Sequence, residues 1–174
     1  MRIPSEWGNV LSEVQGVFPG AIIAGGALRD LFLGKEVKDV DIFIPIKSRD
    51  IEDEHISDVY SLFPEAEPHP SHTYGVKSSP EDEERDLFAI FKMERNGIKY
   101  DLIFGTPQSC DMNNFDINIC QIIFNGSDLI VSPFFIEAVR DRHIRVLNIN
   151  RTDRNRARLE RIASKYPEYT TEDK

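Results

Sequence analysis

Asp39 and Asp41 flank Val40 at the start of an apolar run, D-V-D-I-F-I, and Gly25-Gly26 stand upstream at the end of another, A-I-I-A. Alternate residues of a strand face opposite ways, so both carboxylates project from one face while Val40 points into the core. Two carboxylates held side by side repel each other, and a cation between them is the simplest relief. With hard oxygen donors and no Cys or His close in sequence, the expected cation is Mg²⁺ or Mn²⁺. A nucleoside triphosphate is its natural companion, because Gly25 and Gly26 let backbone N–H groups at a helix start approach phosphates with no Cβ in the way. A lone D-x-D is common, whereas its coupling to a glycine elbow is far more specific.

The elements that must position these groups read as strand, elbow, helix, strand. Residues 21–24 form a short buried strand, the helix after the elbow carries Arg29-Asp30, Gly34 stops it, and 40–44 form the second strand. Ahead of them Ser5 caps an amphipathic helix whose Trp7, Val10, Leu11, Val14 and Phe18 recur at helical spacing, ended by Pro19-Gly20. A helix is expected over 57–63, and then a surface loop over 64–85, where four prolines and a charge run leave nothing to pack. Its default role is solvation, with a lid over the nucleotide as the alternative.

Runs 87–93 and 98–104 flank Asn96-Gly97, a strong two-residue hairpin signal. Asp101 sits in the second run among Tyr100, Leu102, Ile103 and Phe104, where a carboxylate without a partner is costly. Beside the Asp39-Asp41 strand it would join them; otherwise it caps Gly105-Thr106 at the strand end. Thr106-Pro107-Gln108 reads as the start of a short helix. A second hairpin over 122–131 turns at Asn125-Gly126-Ser127, Ser132-Pro133 starts a helix over 134–140, 143–147 is strand-like, and Asp153 caps a final basic helix.

The string Gly25, Gly26, Arg29, Asp30, Leu33, Gly34, Asp39, Asp41 resembles the head-domain signature of bacterial poly(A) polymerases and class II CCA-adding tRNA nucleotidyltransferases. These belong to the nucleotidyltransferase superfamily that includes DNA polymerase beta. The resemblance implies an α+β fold: a mixed-sheet, polymerase beta-like palm with helices packed on the sheet, head domain 1–131, and a short helical neck-like segment, 132–174, ending in the basic helix. It implies that Asp39, Asp41 and Asp101 gather to hold two divalent ions, with Asp101 helping to activate the attacking hydroxyl, and that Arg29 joins Gly25 and Gly26 on the phosphates. Asn118 matches the Asn of the family's ribose-contacting motif, while Asn113, Asn114 and Asp116 depart from it. Asp153 and Arg156 match the residues that read the base edge; a rival register, one residue out of step, gives that segment to Arg158 and Arg161.

The chain has 174 residues, 40% hydrophobic and 29% charged, the profile of an ordinary soluble protein. No apolar run approaches the roughly 18 residues of a membrane span and the N-terminus is no signal peptide, so the expectation is cytoplasmic, with no membrane partner. Cys110 and Cys120 lack metal or disulfide spacing. His69 and His72 lie in the Pro-rich loop, where solvation is favoured over a metal site. The net charge of −9 is unevenly spread: residues 49–86 carry twelve acidic against three basic side chains, whereas 140–165 carry nine basic against three acidic. Arg154, Arg158 and Arg161 share a face of the last helix and suit nucleotide or RNA.

The expected function is therefore a template-independent, metal-dependent transfer of a nucleoside monophosphate from ATP or CTP to a hydroxyl, first of all an RNA 3′ end, with loss of pyrophosphate. Members of the resembled family continue into body and tail domains that grip tRNA, so a shorter RNA held by the basic helix or by a second subunit of a homo-oligomer is the expected acceptor. The alternatives are a minimal transferase acting on a small-molecule or protein hydroxyl, and a retired nucleotide- or RNA-binding module.

Overall fold

The computed structural model describes residues 1–47, 53–69, 87–147 and 153–171; most of the expected lid lies outside them. In chain order the elements are α1 (Ser5–Val17), β1 (Ile22–Ala24), α2 (Gly26–Phe32), β2 (Val40–Pro45), α3 (Asp53–Leu62), β3 (Glu67–Pro68), β4 (Leu87–Arg95), β5 (Ile98–Gly105), β6 (Ile122–Phe124), β7 (Leu129–Val131), α4 (Pro133–Asp141), β8 (His143–Ile144), α5 (Asp153–Lys165) and β9 (Thr170–Thr171). The first seven strands make one mixed sheet in the order β3-β4-β5-β2-β1-β6-β7. Within this sheet, among the described residues, only the β2–β5 contact is parallel. The fold is the α+β palm that the sequence led us to expect.

Alternation along the central strands creates two unlike faces. Val40, Ile42 and Ile44 of β2, Tyr100, Leu102 and Phe104 of β5, and Ala89, Phe91 and Met93 of β4 are buried. They form the core with Trp7, Val10, Leu11 and Val14 of α1 and Val59 of α3. Phe18 meets Phe104 edge to face, and Tyr60 meets Phe91 in the same way. Each fully buried aliphatic or aromatic side chain stabilises the fold by about 1.5–3 kcal/mol. The other face carries Asp41 and Phe43 of β2, Asp101 of β5 and Lys92 of β4, all partly exposed.

Hairpin chemistry holds the register. Asn96 and Gly97 both have positive φ, 54° and 74°, as a two-residue turn matched to strand twist requires. At the second hairpin the Asn125 side chain accepts from the N–H groups of Ser127 and Asp128. Ser132 caps α4 through the Phe135 N–H at 3.1 Å, with Pro133 at the first helical position.

Several local expectations are corrected. Pro4, not Ser5, is the N-cap residue of α1 and makes no side-chain cap; the Ser5 hydroxyl turns to Glu6 instead. α3 starts at Asp53, earlier than expected, and Glu67–Pro68 adds an edge strand to β4 in what read as loop. Thr106-Pro107-Gln108 leads into turns rather than a helix, with the Ser109 N–H and hydroxyl donating to the Thr106 hydroxyl and carbonyl. Residues 143–147 are strand-like as expected, and the partner of β8 is β9, a two-residue strand with no sequence signal.

Candidate active site

The elbow between β1 and α2 is a backbone device. Gly25 has φ 74° and ψ −123°, a conformation closed to side-chain-bearing residues, and its N–H is tied to the Ile122 carbonyl of β6 at 3.1 Å. A Cβ on Gly25 would meet nothing within 4 Å, so conformation rather than crowding demands the glycine, and space remains above the bend.

Arg29, one turn into α2, was expected on phosphates, and the structure turns it inward. The residue is 7% exposed. It donates through Nε to Asp30 at 2.8 Å and to the Tyr166 hydroxyl at 3.0 Å, and through Nη1 to Cys120 Sγ at 3.3 Å. Asp30 in turn accepts from the Tyr166 hydroxyl and the Lys165 ammonium. A buried charge persists only when its hydrogen-bonding groups are matched, and this cluster matches them. Burial, reinforced by the bond to Asp30, raises the Tyr166 hydroxyl well above the usual phenol range, so it remains a donor at neutral pH.

Asp41 and Asp101 are register partners across the parallel β2–β5 contact, and Lys92 and Asp101 are partners across β4–β5. The three side chains therefore form a row on the open face. The Lys92 ammonium sits on both oxygens of Asp101, at 2.9 and 3.2 Å. Asp39 precedes β2 and is exposed. Desolvation pushes the Asp41 carboxyl up to about 7; the charges of Asp39 and Asp101 push the same way, and those of Arg158 and Lys92 oppose them. The three acids thus act on one another electrostatically.

They do not make the expected two-ion cage. Among the described residues no group of three or more His, Cys, Asp or Glu is arranged to hold a metal ion. The donors are the right type, hard oxygens, but Asp101 is engaged by a lysine and Asp39 stands out toward solvent. The three carboxylates expected to hold paired divalent ions thus form no ready-made cage among the described residues.

Asn118, expected on the ribose, is 2% exposed and structural. Its Oδ1 accepts from the N–H groups of Ile119 and Arg145, and its Nδ2 donates to the His143 carbonyl. On α5, the side chain of Asp153 lies outside the described residues, Arg156 is exposed, and Arg158 reaches Asp116 at 2.6 Å. Arg158 also lies near enough to Asp41 to oppose its raised pKa. The Arg158 side chain, named by the rival register, is turned toward Asp116.

Sequence reading passed over Lys92, Asp116 and Tyr166. Lys92 had a signal: a hairpin turning on Asn96-Gly97 pairs 95 with 98 and, three steps on, 92 with 101, as observed. Asp116 and Tyr166 had none, since their partners lie 42 and 136 residues away.

No curated protein matches the sequence. Among solved structures, a tRNA-processing enzyme in an apo form matches with a TM-score of 0.67 at 19% identity, over 98% of this chain and 45% of that one. The Bacillus stearothermophilus CCA-adding enzyme in complex with CTP matches with a TM-score of 0.64 at 20% identity, over 98% of this chain and 41% of that one. The Thermotoga maritima CCA-adding enzyme complexed with tRNA matches with a TM-score of 0.67 at 16% identity, over 99% and 40%. The chain spans less than half the length of these enzymes, and the likeness shows a shared fold. Among the described residues no helix is long and apolar enough to cross a membrane. A family model matches residues 7–142, most of the chain including the elbow and the carboxylate row, and on that match the protein belongs to the Gabija anti-defense 2 family.

Proposed function

We propose that the open face of the sheet binds a nucleoside triphosphate and transfers its nucleoside monophosphate to a hydroxyl acceptor. The observation that carries this reading is the in-register Asp41–Asp101 pair beside the glycine elbow, in a fold shared with enzymes solved with CTP and tRNA. The triphosphate lies with its phosphates toward the start of α2 at Gly26, the Gly25 N–H being held by the Ile122 carbonyl. An acceptor oxygen attacks the α-phosphorus, a new P–O bond forms, the bond to the β-phosphate bridging oxygen breaks, and pyrophosphate leaves. Asp41, with a pKa of about 7, is suited to take the proton of the attacking hydroxyl at neutral pH. Lys92 and Arg158 place positive charge on the face that receives the phosphates. In this reading residues 1–131 form the head and 132–174 the neck.

The acceptor has two readings, each with its own support. The fold neighbours in complex with tRNA favour an RNA 3′ end. The family description, an anti-defence against Gabija, together with a net charge of −9, favours a protein hydroxyl in that defence machinery. The test is incubation with α-labelled ATP or CTP, Mg²⁺ or Mn²⁺, and either a tRNA-like RNA or purified Gabija proteins. Label on RNA supports the first acceptor and label on protein the second. No label on either, with wild type indistinguishable from Asp41→Asn, defeats transfer and leaves a retired binding module.

A further inference from the structure

Strand register sorts the side chains of the open face into two rows. One is polar, Asp41, Asp101 and Lys92. The next is apolar: Ile22, Phe43, Ile103 and Ile90 are register partners across β1, β2, β5 and β4. Two residues along a strand span roughly 6.6 Å, which is the distance between the rows. Ile22 precedes the elbow in β1, so the apolar row is the farther of the two from Gly25. Ile22 and Ile103 are buried yet stand outside the main core, whereas Phe43 and Ile90 keep partial exposure. Phe115 reaches this row from the turns after β5, its ring 5.6 Å from that of Phe43 at 40°. Aromatic pairs favour offset stacking or edge-to-face contact. These two are splayed instead, and both remain partly exposed. The backbone that presents Phe115 is pinned, because Gln121, 1% exposed, donates through Nε2 to the carbonyls of Asn113 and Phe115 at 3.3 and 3.0 Å. The next residue, Asp116, holds Arg158 at 2.6 Å. An aromatic surface of fixed position, bordered by an acid–guanidinium pair, thus lies one row beyond the carboxylates.

We propose that Phe43 and Phe115 form the stacking platform for the base of the nucleoside triphosphate. This rests on the nucleotidyl-transfer reading and adds to it the side chains that hold the nucleoside. Elbow, carboxylate row and aromatic pair follow one another along the sheet in the order in which the ligand presents its outer phosphates, its α-phosphorus and its base. The charged row suits the phosphates and the apolar row suits a flat ring, so one ligand with both parts satisfies the whole face. Stacking uses the π-face that every base carries, and the platform therefore admits ATP and CTP alike.

The test separates base from phosphate. Binding of α,β-methylene-ATP, whose bridge blocks transfer, and of ribose 5-triphosphate, which has no base, is measured on the full chain by isothermal titration calorimetry with Mg²⁺. Folding of each variant is checked by circular dichroism. Wild type is expected to bind the ATP analogue about tenfold or more tightly than ribose 5-triphosphate, the worth of one base–aromatic stack. Phe115→Leu should lose about tenfold for the analogue and nothing for ribose 5-triphosphate, while Phe115→Tyr keeps both affinities. Phe43→Leu should behave as Phe115→Leu does and takes its place if that variant does not fold. Equal wild-type affinity for the two probes, binding of neither, or a leucine variant that weakens both alike or neither overturns the proposal. The two readings fail separately. The expected binding pattern without labelled product in the acceptor assay defeats transfer and leaves the platform, whereas labelled product with unchanged analogue affinity in Phe115→Leu defeats the platform and leaves transfer.

Discussion

Ionising Asp41 opposes folding, and Asp41→Asn measures by how much. Its carboxyl is raised from 3.8 to about 7, first by desolvation and then by Asp39 and Asp101. A carboxyl whose folded pKa exceeds its unfolded value binds a proton more tightly in the folded state. Its contribution to stability is therefore fully present below about pH 4 and is lost progressively as the pH rises to about 7. Each unit corresponds to about 1.4 kcal/mol, so a shift of about 3 units sets a ceiling of about 4 kcal/mol. Asp41 is partly exposed on the open face, and solvent screening brings the expected effect to roughly 2 kcal/mol. Urea unfolding of wild type and Asp41→Asn at intervals from pH 4 to pH 8 reports this group and its coupling to Asp39 and Asp101, because the titrations of uncoupled groups cancel in the difference. The variant should match wild type near pH 4 and be more stable by roughly 2 kcal/mol at pH 8. It should also lose nucleotidyl transfer, so that stability rises as activity vanishes. A difference that stays flat with pH, or that favours wild type at pH 8, refutes the claim that Asp41 is a strained acid between two like charges.

Gly25→Ala should lower stability by about 1–3 kcal/mol in thermal unfolding, since the φ of 74° is retained only under strain. Asp30→Asn leaves the buried Arg29 guanidinium without its counter-charge and should destabilise by about 3–5 kcal/mol in urea, with earlier proteolysis of the C-terminal segment held by Tyr166 and Lys165. Ser132→Ala removes the cap of α4 and should cost about 1 kcal/mol while leaving transfer intact.

What could be read from the sequence followed from local rules. The Gly25 bend, the alternation that puts Asp41 on the open face, and the Asn96-Gly97 hairpin each depend on a few contiguous residues, and each is present, whereas Asp101 comes beside Asp41 only through the β2–β5 pairing that the sequence left open. Side chains placed away from the open face share a different cause. Arg29 and Asn118 are polar residues at motif positions, and residue type alone does not say whether a polar group meets a ligand or a distant piece of its own chain. Arg29 meets Tyr166, 137 residues on, and Asn118 pins His143 and Arg145. Lys92 was legible in principle, because the same turn that places Asp101 fixes its opposite number.

These long-range contacts give the candidate site its dimensions. α2 begins at the elbow, where phosphates are proposed to lie, and α5 carries Arg158 toward Asp41 and Asp116. The two helices are clasped by Tyr166 and Lys165 on Asp30, with the Arg29 guanidinium against the Tyr166 hydroxyl and its ring 5.4 Å away. A buried, fully matched polar cluster resists displacement because each separated member loses its partners together. The spacing between the elbow and Arg158 is thus set by the clasp rather than by the sheet. The arginine that reads as a phosphate ligand is bonded instead to Asp30 and Tyr166, and so holds α2 against the segment that carries Arg158 to Asp116.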